Sequence, residues 1–427
     1  MYDRLFTLET KYYPTDFLCT IGQPQPLADL QLVKVAVKII KNNNNNDICL
    51  IFFIFILILI NAILFLLPKK SYITVLIAPL DWGLGHATRC IPLINHLLQS
   101  GCKVIIAAEG LQKKLLKTEF PTVIFVNIPC YNIKYTRVKR FFSVKVVLQL
   151  PKIFITILRE KKWLDRFLQN NKVDAIISDN RFGLFHRKVT SVFITHQLLV
   201  KAPFILFEKI IQKINYGYIN RFSACWVPDE KGSTNLAGVL SHPEKLPQIK
   251  VNYIGGISRL ERQDEVAKKY DVLIILSGPE PQRTLLETKL LKQLVDFKGK
   301  ALLVRGLPGF SESLSGTMHL KIQNHLPAKD LETAINESEY IISRSGYTTV
   351  MDLCKLKKKS ILIPTPGQTE QEYLAAHLQK QGWCVAASQE NFSLQKSLQK
   401  AQKFNYQLPD LKMEAYKEIL DDFLKSI

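Results

Sequence analysis

A chain of 427 residues exceeds what one hydrophobic core usually organises, and a composition of 47% hydrophobic and 22% charged residues excludes a mainly disordered polymer. A net charge of +20 favours polyanionic partners, an anionic membrane face and phosphorylated substrates among them. The eight cysteines are scattered without a C-x-x-C pair, which argues against a zinc knuckle or a disulfide framework and fits small buried apolar side chains.

Ile48 to Leu67 reads ICLIFFIFILILINAILFLL, twenty residues without a charge, about the length a helix needs to cross a bilayer. It lies too far from Met1 and runs too long for a signal peptide, and Pro68, Lys69 and Lys70 end it. Residues 1–71 thus read as a leader with a transmembrane helix at 48–67, or as a misassigned start before Tyr72. The basic remainder of the chain favours the cytoplasmic face of a membrane.

From Tyr72 onward, short β-branched runs alternate with amphipathic stretches, the pattern of a parallel sheet covered by helices. Ile73–Ala78, Val104–Ala108, Val123–Asn127, Ala175–Ser178 and Val192–Thr195 read as the buried strands of a first Rossmann-like domain, residues 72–255. After the first strand comes Pro79-Leu80-Asp81-Trp82-Gly83-Leu84-Gly85-His86-Ala87-Thr88-Arg89, a glycine turn opening a helix. Such a start offers free N–H groups to an anion. The turn also resembles a dinucleotide fingerprint, with Gly83, Gly85 and Thr88 in the third place and Glu109 closing the next strand, so an NAD-dependent dehydrogenase is one reading. Thr88 is bulkier than close helix packing wants there. His86 offers different chemistry: a base taking the proton of an attacking hydroxyl, or a neutral histidine that caps the turn.

Between Ile133 and Leu168, ten lysines and arginines from Lys134 to Arg166 are interleaved with Phe141, Phe142, Leu148, Phe154, Ile157 and Trp163, and only Glu160 and Asp165 oppose them. This reads as a helix pair resting on anionic lipid, joined by Phe204, Leu206, Phe207, Ile210 and Ile211, or as a solvated face over ordinary core. No nucleic-acid recognition motif accompanies the charge.

Gly255 and Gly256 open a charged, weakly apolar stretch to Lys269, where a second domain, 256–408, is expected to begin. Its strands are VLIILS from Val272, ALLVR, YIIS and ILIP, with a helix at Thr284–Phe297. Ser343-Arg344-Ser345-Gly346 forms a small-residue turn before a helix that carries Asp352. The turn can give N–H groups to a diphosphate, and the carboxylate can accept both hydroxyls of a ribose or stay solvated. In the loop after Ile361–Pro364, Gln368, Glu370 and Gln371 suit sugar hydroxyls or helix capping. His325 before Leu326-Pro327 is either near the nucleotide or a surface histidine. Leu411–Ile427 has the spacing of a final helix, 409–427 forming a C-terminal appendage.

Together these segments resemble the family 28 glycosyltransferases and, more distantly, the UDP-glucuronosyltransferase-like group. The likeness rests on Gly83 to His86, on Ser277-Gly278-Pro279-Glu280, on Ser343, Arg344, Gly346 and Asp352, and on Gln371. It implies an α/β GT-B architecture: two Rossmann-like doubly wound domains with a cleft between them, here behind an N-terminal hydrophobic segment. It further implies donor contacts at Ser277, Gly278, His325, Ser343, Arg344, Gly346, Asp352, Gln368, Glu370 and Gln371. Gly83, Gly85 and His196 fall on the acceptor side, with His86 the base. Transfer from a UDP-sugar to a lipid-linked or glycan acceptor, with inversion, without metal and without a cofactor, is the expected reaction. Asp179, after Ala175–Ser178, is the alternate base. A UDP-sugar epimerase, a dehydrogenase and a non-catalytic sugar-nucleotide binder are the competing readings.

Overall fold

The structure, a computed structural model, describes residues 72–133, 142–202, 204–312 and 314–427. The apolar segment Ile48–Leu67 and most of the basic cluster's start, 134–141, lie outside them. Among the described residues no helix is long and apolar enough to cross a membrane.

The first sheet is built from β1 (Thr74–Pro79), α1 (Leu84–Gln99), β2 (Lys103–Ala107), α2 (Gly110–Glu119), β3 (Ile124–Val126), α3 (Phe142–Asn170), β4 (Ala175–Asp179), β5 (Thr190–Ile194), α4 (Ile205–Ile219), β6 (Ala224–Val227) and β7 (Lys250–Tyr253). Its strands are all parallel in the order β3-β2-β1-β4-β5-β6-β7. Strands covered on both faces need apolar side chains on both, which is why β1 is buried at every position and reads as an unbroken apolar run. Helix α1 lays Ala87, Cys90, Leu93, Ile94 and Leu97 on that face. Each fully buried leucine or isoleucine contributes about 1.5–3 kcal/mol.

The second sheet comprises β8 (Tyr270–Ile275), α5 (Gln282–Leu294), β9 (Ala301–Val304), β10 (Leu320–Gln323), α6 (Ala328–Asn336), β11 (Ser338–Ser343), α7 (Tyr347–Lys355), β12 (Lys359–Leu362), α8 (Thr369–Lys380) and β13 (Val385–Ala386). It is likewise parallel, in the order β10-β9-β8-β11-β12-β13. Helices α9 (Leu394–Lys403) and α10 (Ala415–Lys425) follow. The last of them returns to the first sheet: Tyr416 and Leu420 enter its core, and His96 Nε2 sits 2.7 Å from Asp421 Oδ1.

Strand order reverses between β1 and β4 in one sheet and between β8 and β11 in the other. Crevices open at such switch points, outside the carboxyl ends of the strands. The loops after these four strands therefore frame the site.

The described part of the basic segment, from Phe142, forms one helix, since α3 runs unbroken through Pro151. Strands β6, β7, β10 and β13 were not legible as apolar runs. They are two to four residues long, and β7 and β10 carry Lys250, Asn252, Lys321 and Gln323.

Candidate active site

Gly83 begins the first-sheet side of the site with φ at 126°, a conformation that L side chains avoid, and α1 starts at the next residue. The turn is pinned from behind by the Gln112 amide, which donates to the carbonyls of Leu80 and Gly83. Gly85 has a different reason to be glycine. A Cβ there would lie 3.0 Å from Thr348 Oγ1 of α7, whose hydroxyl donates to the Gly85 carbonyl at 3.2 Å. The amino ends of α1 and α7, from opposite sheets, thus meet in the crevice.

His86 points from α1 toward the end of β4, where its Nδ1 is 3.0 Å from Asp179 Oδ2. Arg89, one helical turn on, grips both oxygens of Asp179, with Nε 3.0 Å from Oδ2 and Nη2 on Oδ1. Arg89 Nη2 also lies 2.8 Å from His86 Nδ1. Burial, reinforced by the Arg89 charge, lowers His86 against the pull of Asp179 and keeps the imidazole neutral near pH 7. For Asp179 burial acts upward, but the charges and hydrogen bonds of Arg89 and His86 outweigh it and hold the carboxyl at about 2.

The network crosses to the second sheet. His196, in the loop after β5, has Nδ1 3.5 Å from Arg89 Nη1 and Nε2 2.7 Å from Oε1 of Glu370 on α8. Its ring stacks on Tyr347, the first residue of α7, at 3.9 Å. The Gln197 amide donates to the other Glu370 oxygen, and the Thr369 hydroxyl to the Lys201 carbonyl at 3.0 Å.

On the second-sheet side, Ser277 and Gly278 are exposed beyond β8, and Gly278 has φ at 100°. Ser343 ends β11 and Gly346 precedes α7. Thr365 Oγ1, buried and without a hydrogen-bond partner, lies 3.7 Å from where a Gly278 side chain would begin. Gln371 braces this floor: its side-chain oxygen accepts from the Thr365 N–H at 2.9 Å and its carbonyl from Ser345 Oγ at 2.8 Å. Gln368 occupies the position before α8, half-buried. Asp352 Oδ1 accepts from Ser258 Oγ at 2.5 Å, and burial raises its carboxyl to about 6 despite that bond and the charges of Arg259 and Lys355. His325 is exposed beyond β10, where partial burial and the Arg259 charge disfavour its protonation.

Two expectations need correction. Arg344 does not face a diphosphate: it is 1% exposed and donates to the carbonyls of Gln282, Ile363 and Pro364, bracing the loops behind the site. Asp179 is not a base in its own right, because it is fully buried and both its oxygens are engaged. Sequence reasoning also missed Arg89, Ser258 and Thr365. Only Arg89 left a signal, its spacing of three from His86, which puts both on one helical face.

Two parallel doubly wound sheets, with a histidine on a buried carboxylate at the crevice between them, define the GT-B architecture. Residues 319–426 match the glycosyltransferase family 28 C-terminal domain. The UDP-N-acetylglucosamine--N-acetylmuramyl-(pentapeptide) pyrophosphoryl-undecaprenol N-acetylglucosamine transferase of Clostridium botulinum (strain Langeland) is 25% identical over 341 residues, which is 75% of this chain and 87% of that protein. Its counterpart in Clostridium perfringens (strain 13) is 22% identical over 329 residues, 72% of this chain and 84% of that one. Among solved structures, spinosyn rhamnosyltransferase SpnG aligns with a TM-score of 0.55 at 14% identity, over 83% of this chain and 96% of its own. Arabidopsis thaliana UGT89C1 complexed with UDP-L-rhamnose gives 0.52 at 10% identity, over 84% and 95%. The chain is a nucleotide-sugar-dependent glycosyltransferase whose residues 319–426 match the family 28 C-terminal domain, which favours transfer over the dehydrogenase, epimerase and non-catalytic readings.

Proposed function

We propose that this enzyme transfers a sugar from a UDP-sugar to a hydroxyl of a lipid-linked or glycan acceptor presented at an anionic membrane surface, by inverting displacement without a metal. The observation that carries this reading is His86 Nδ1 set 3.0 Å from the buried carboxylate of Asp179 at the crevice. With its Nδ1 proton on Asp179, His86 has Nε2 free to take the acceptor's proton as that oxygen attacks the anomeric carbon. The C–O bond to the diphosphate breaks as the new glycosidic bond forms, and the leaving charge meets the free N–H groups at the start of α7. Asp352 is the acceptor for ribose hydroxyls, Gln371 with Gln368 contacts the sugar, and Ser277 with Gly278 lines the donor. UDP and a lipid acceptor gain support from the names of the clostridial relatives, which carry both.

The membrane reading is supported by α3 and α4. Phe154 and Tyr218 join them at 6.5 Å, and their outer faces expose Leu148, Leu158, Phe204, Ile205, Leu206 and Phe207, the isoleucine to 73%. Lys152, Arg159, Lys162, Lys209 and Lys213 are exposed on the same two helices. Apolar residues inserted among lipid headgroups beside cations give an interfacial helix its affinity.

Residues 72–427 cluster as one compact unit. In that fragment, Leu206→Asp with Phe207→Asp is expected to weaken binding to anionic vesicles by about tenfold or more. Unchanged cosedimentation removes the membrane surface from the proposal. The reaction itself is tested by UDP release from UDP-sugars in EDTA, with and without lipid-linked glycan acceptors. Acceptor-dependent release supports transfer; release that ignores every acceptor, or that needs a divalent ion, contradicts the reading.

A further inference from the structure

We infer that Arg89, held from behind by His196 and Glu370, sets the tautomer of His86 and so couples closure of the crevice to the readiness of the base. The inference rests on His86 being the base of transfer.

His86 Nδ1 is placed between two groups with opposite demands, Asp179 Oδ2 at 3.0 Å and Arg89 Nη2 at 2.8 Å. The ionised carboxylate can only accept a hydrogen bond, and the guanidinium can only donate one. A single ring nitrogen cannot serve both. With the proton on Nδ1, the ring donates to Asp179 and Nε2 keeps the lone pair that a base needs. With the proton on Nε2, Nδ1 accepts from Arg89 and the base is off. Asp179 remains satisfied in either state, because Arg89 Nε stays 3.0 Å from Oδ2 and Nη2 stays on Oδ1. The balance therefore depends on where the guanidinium leans.

Its third nitrogen, Nη1, reaches toward His196 Nδ1 at 3.5 Å, and His196 Nε2 is 2.7 Å from Glu370 Oε1. A proton on Nε2 of His196, donated to Glu370, leaves Nδ1 as the lone pair that faces Arg89. Stacking on Tyr347, with the rings 2° from parallel, holds the His196 plane in place. Glu370 and Tyr347 belong to α8 and α7 of the second sheet, whereas His86, Arg89, Asp179 and His196 belong to the first. The hold on Arg89 Nη1, which competes with the lean of Nη2 on His86 Nδ1, therefore exists only while the two sheets face each other as they do here. Arg89 is a positioning residue: it acts through His86 and touches no substrate.

The test is NMR of the full chain in detergent, labelled with ¹⁵N-histidine, reading the two ring-nitrogen shifts of His86 assigned by their loss in His86→Gln. In the wild type the Nδ1–H form is expected to dominate. Glu370→Ala and His196→Ala should each move the ratio toward Nε2–H by about tenfold or more, the worth of a charge-assisted hydrogen bond. Glu370→Gln, whose amide oxygen can still accept from His196, should restore it. A His86 tautomer indifferent to Glu370→Ala and His196→Ala overturns the inference. The base assignment fails separately, by transfer activity that survives in His86→Ala.

Discussion

Replacing His86 by Ala is expected to lower the turnover of sugar transfer by about 10²–10⁴-fold, the usual contribution of a positioned general base, while leaving the affinity for nucleotide sugar unchanged. The split follows from where the groups lie. His86 stands on the first-sheet side at the start of α1, and the donor contacts proposed at Ser277, Gly278 and Asp352 come from the second sheet and its helices. Loss of donor affinity together with turnover would instead make His86 a structural part of the crevice.

Asp179→Asn has the largest expected effect on stability. Arg89 is 3% exposed and grips both Asp179 oxygens; an amide offers it one acceptor and turns the other contact into a clash of donors. Removing one partner of a buried ion pair costs about 3–5 kcal/mol. Turnover suffers separately, by about 10³–10⁴-fold, because the new amide N–H favours the His86 tautomer with its proton on Nε2. The pH dependence has a fixed sign. A carboxyl held at about 2 in the folded state stabilises the protein fully above its unfolded value near 4, and that contribution disappears as pH falls through about 2. The stability gap between wild type and Asp179→Asn should therefore be constant from neutrality down to about pH 4 and narrow below it, as read by denaturant unfolding across that range.

Much of this architecture is legible in the sequence because parallel strands buried on both faces leave unbroken apolar runs such as residues 75–79 and 272–275. The loops after them carry Gly83, Gly85, His86, Ser343 and Gly346 to the crevice for the same topological reason. What the sequence hides is partnership. Arg89 reads as an ordinary helix arginine until the fold sets it against Asp179, ninety residues away. Glu370 and His196, separated by 174 positions, have no local pattern that joins them. Arg344 misleads in the opposite direction. An arginine in a phosphate-like turn suggests an anion, yet its Nη1 and Nη2 donate to the backbone carbonyls of Ile363, Pro364 and Gln282.

The central claim, that the second sheet holds the nucleotide sugar through Asp352, is tested most directly by calorimetric titration of the protein with UDP-sugars in EDTA, comparing wild type with Asp352→Ala. Saturable binding is expected, weakened by about tenfold or more in the variant through loss of hydrogen bonds to a charged group. Wild-type affinity should also fall as pH drops below about 6, where the Asp352 carboxylate takes up a proton. Absence of UDP-sugar binding, or binding that Asp352→Ala leaves untouched, would contradict the account.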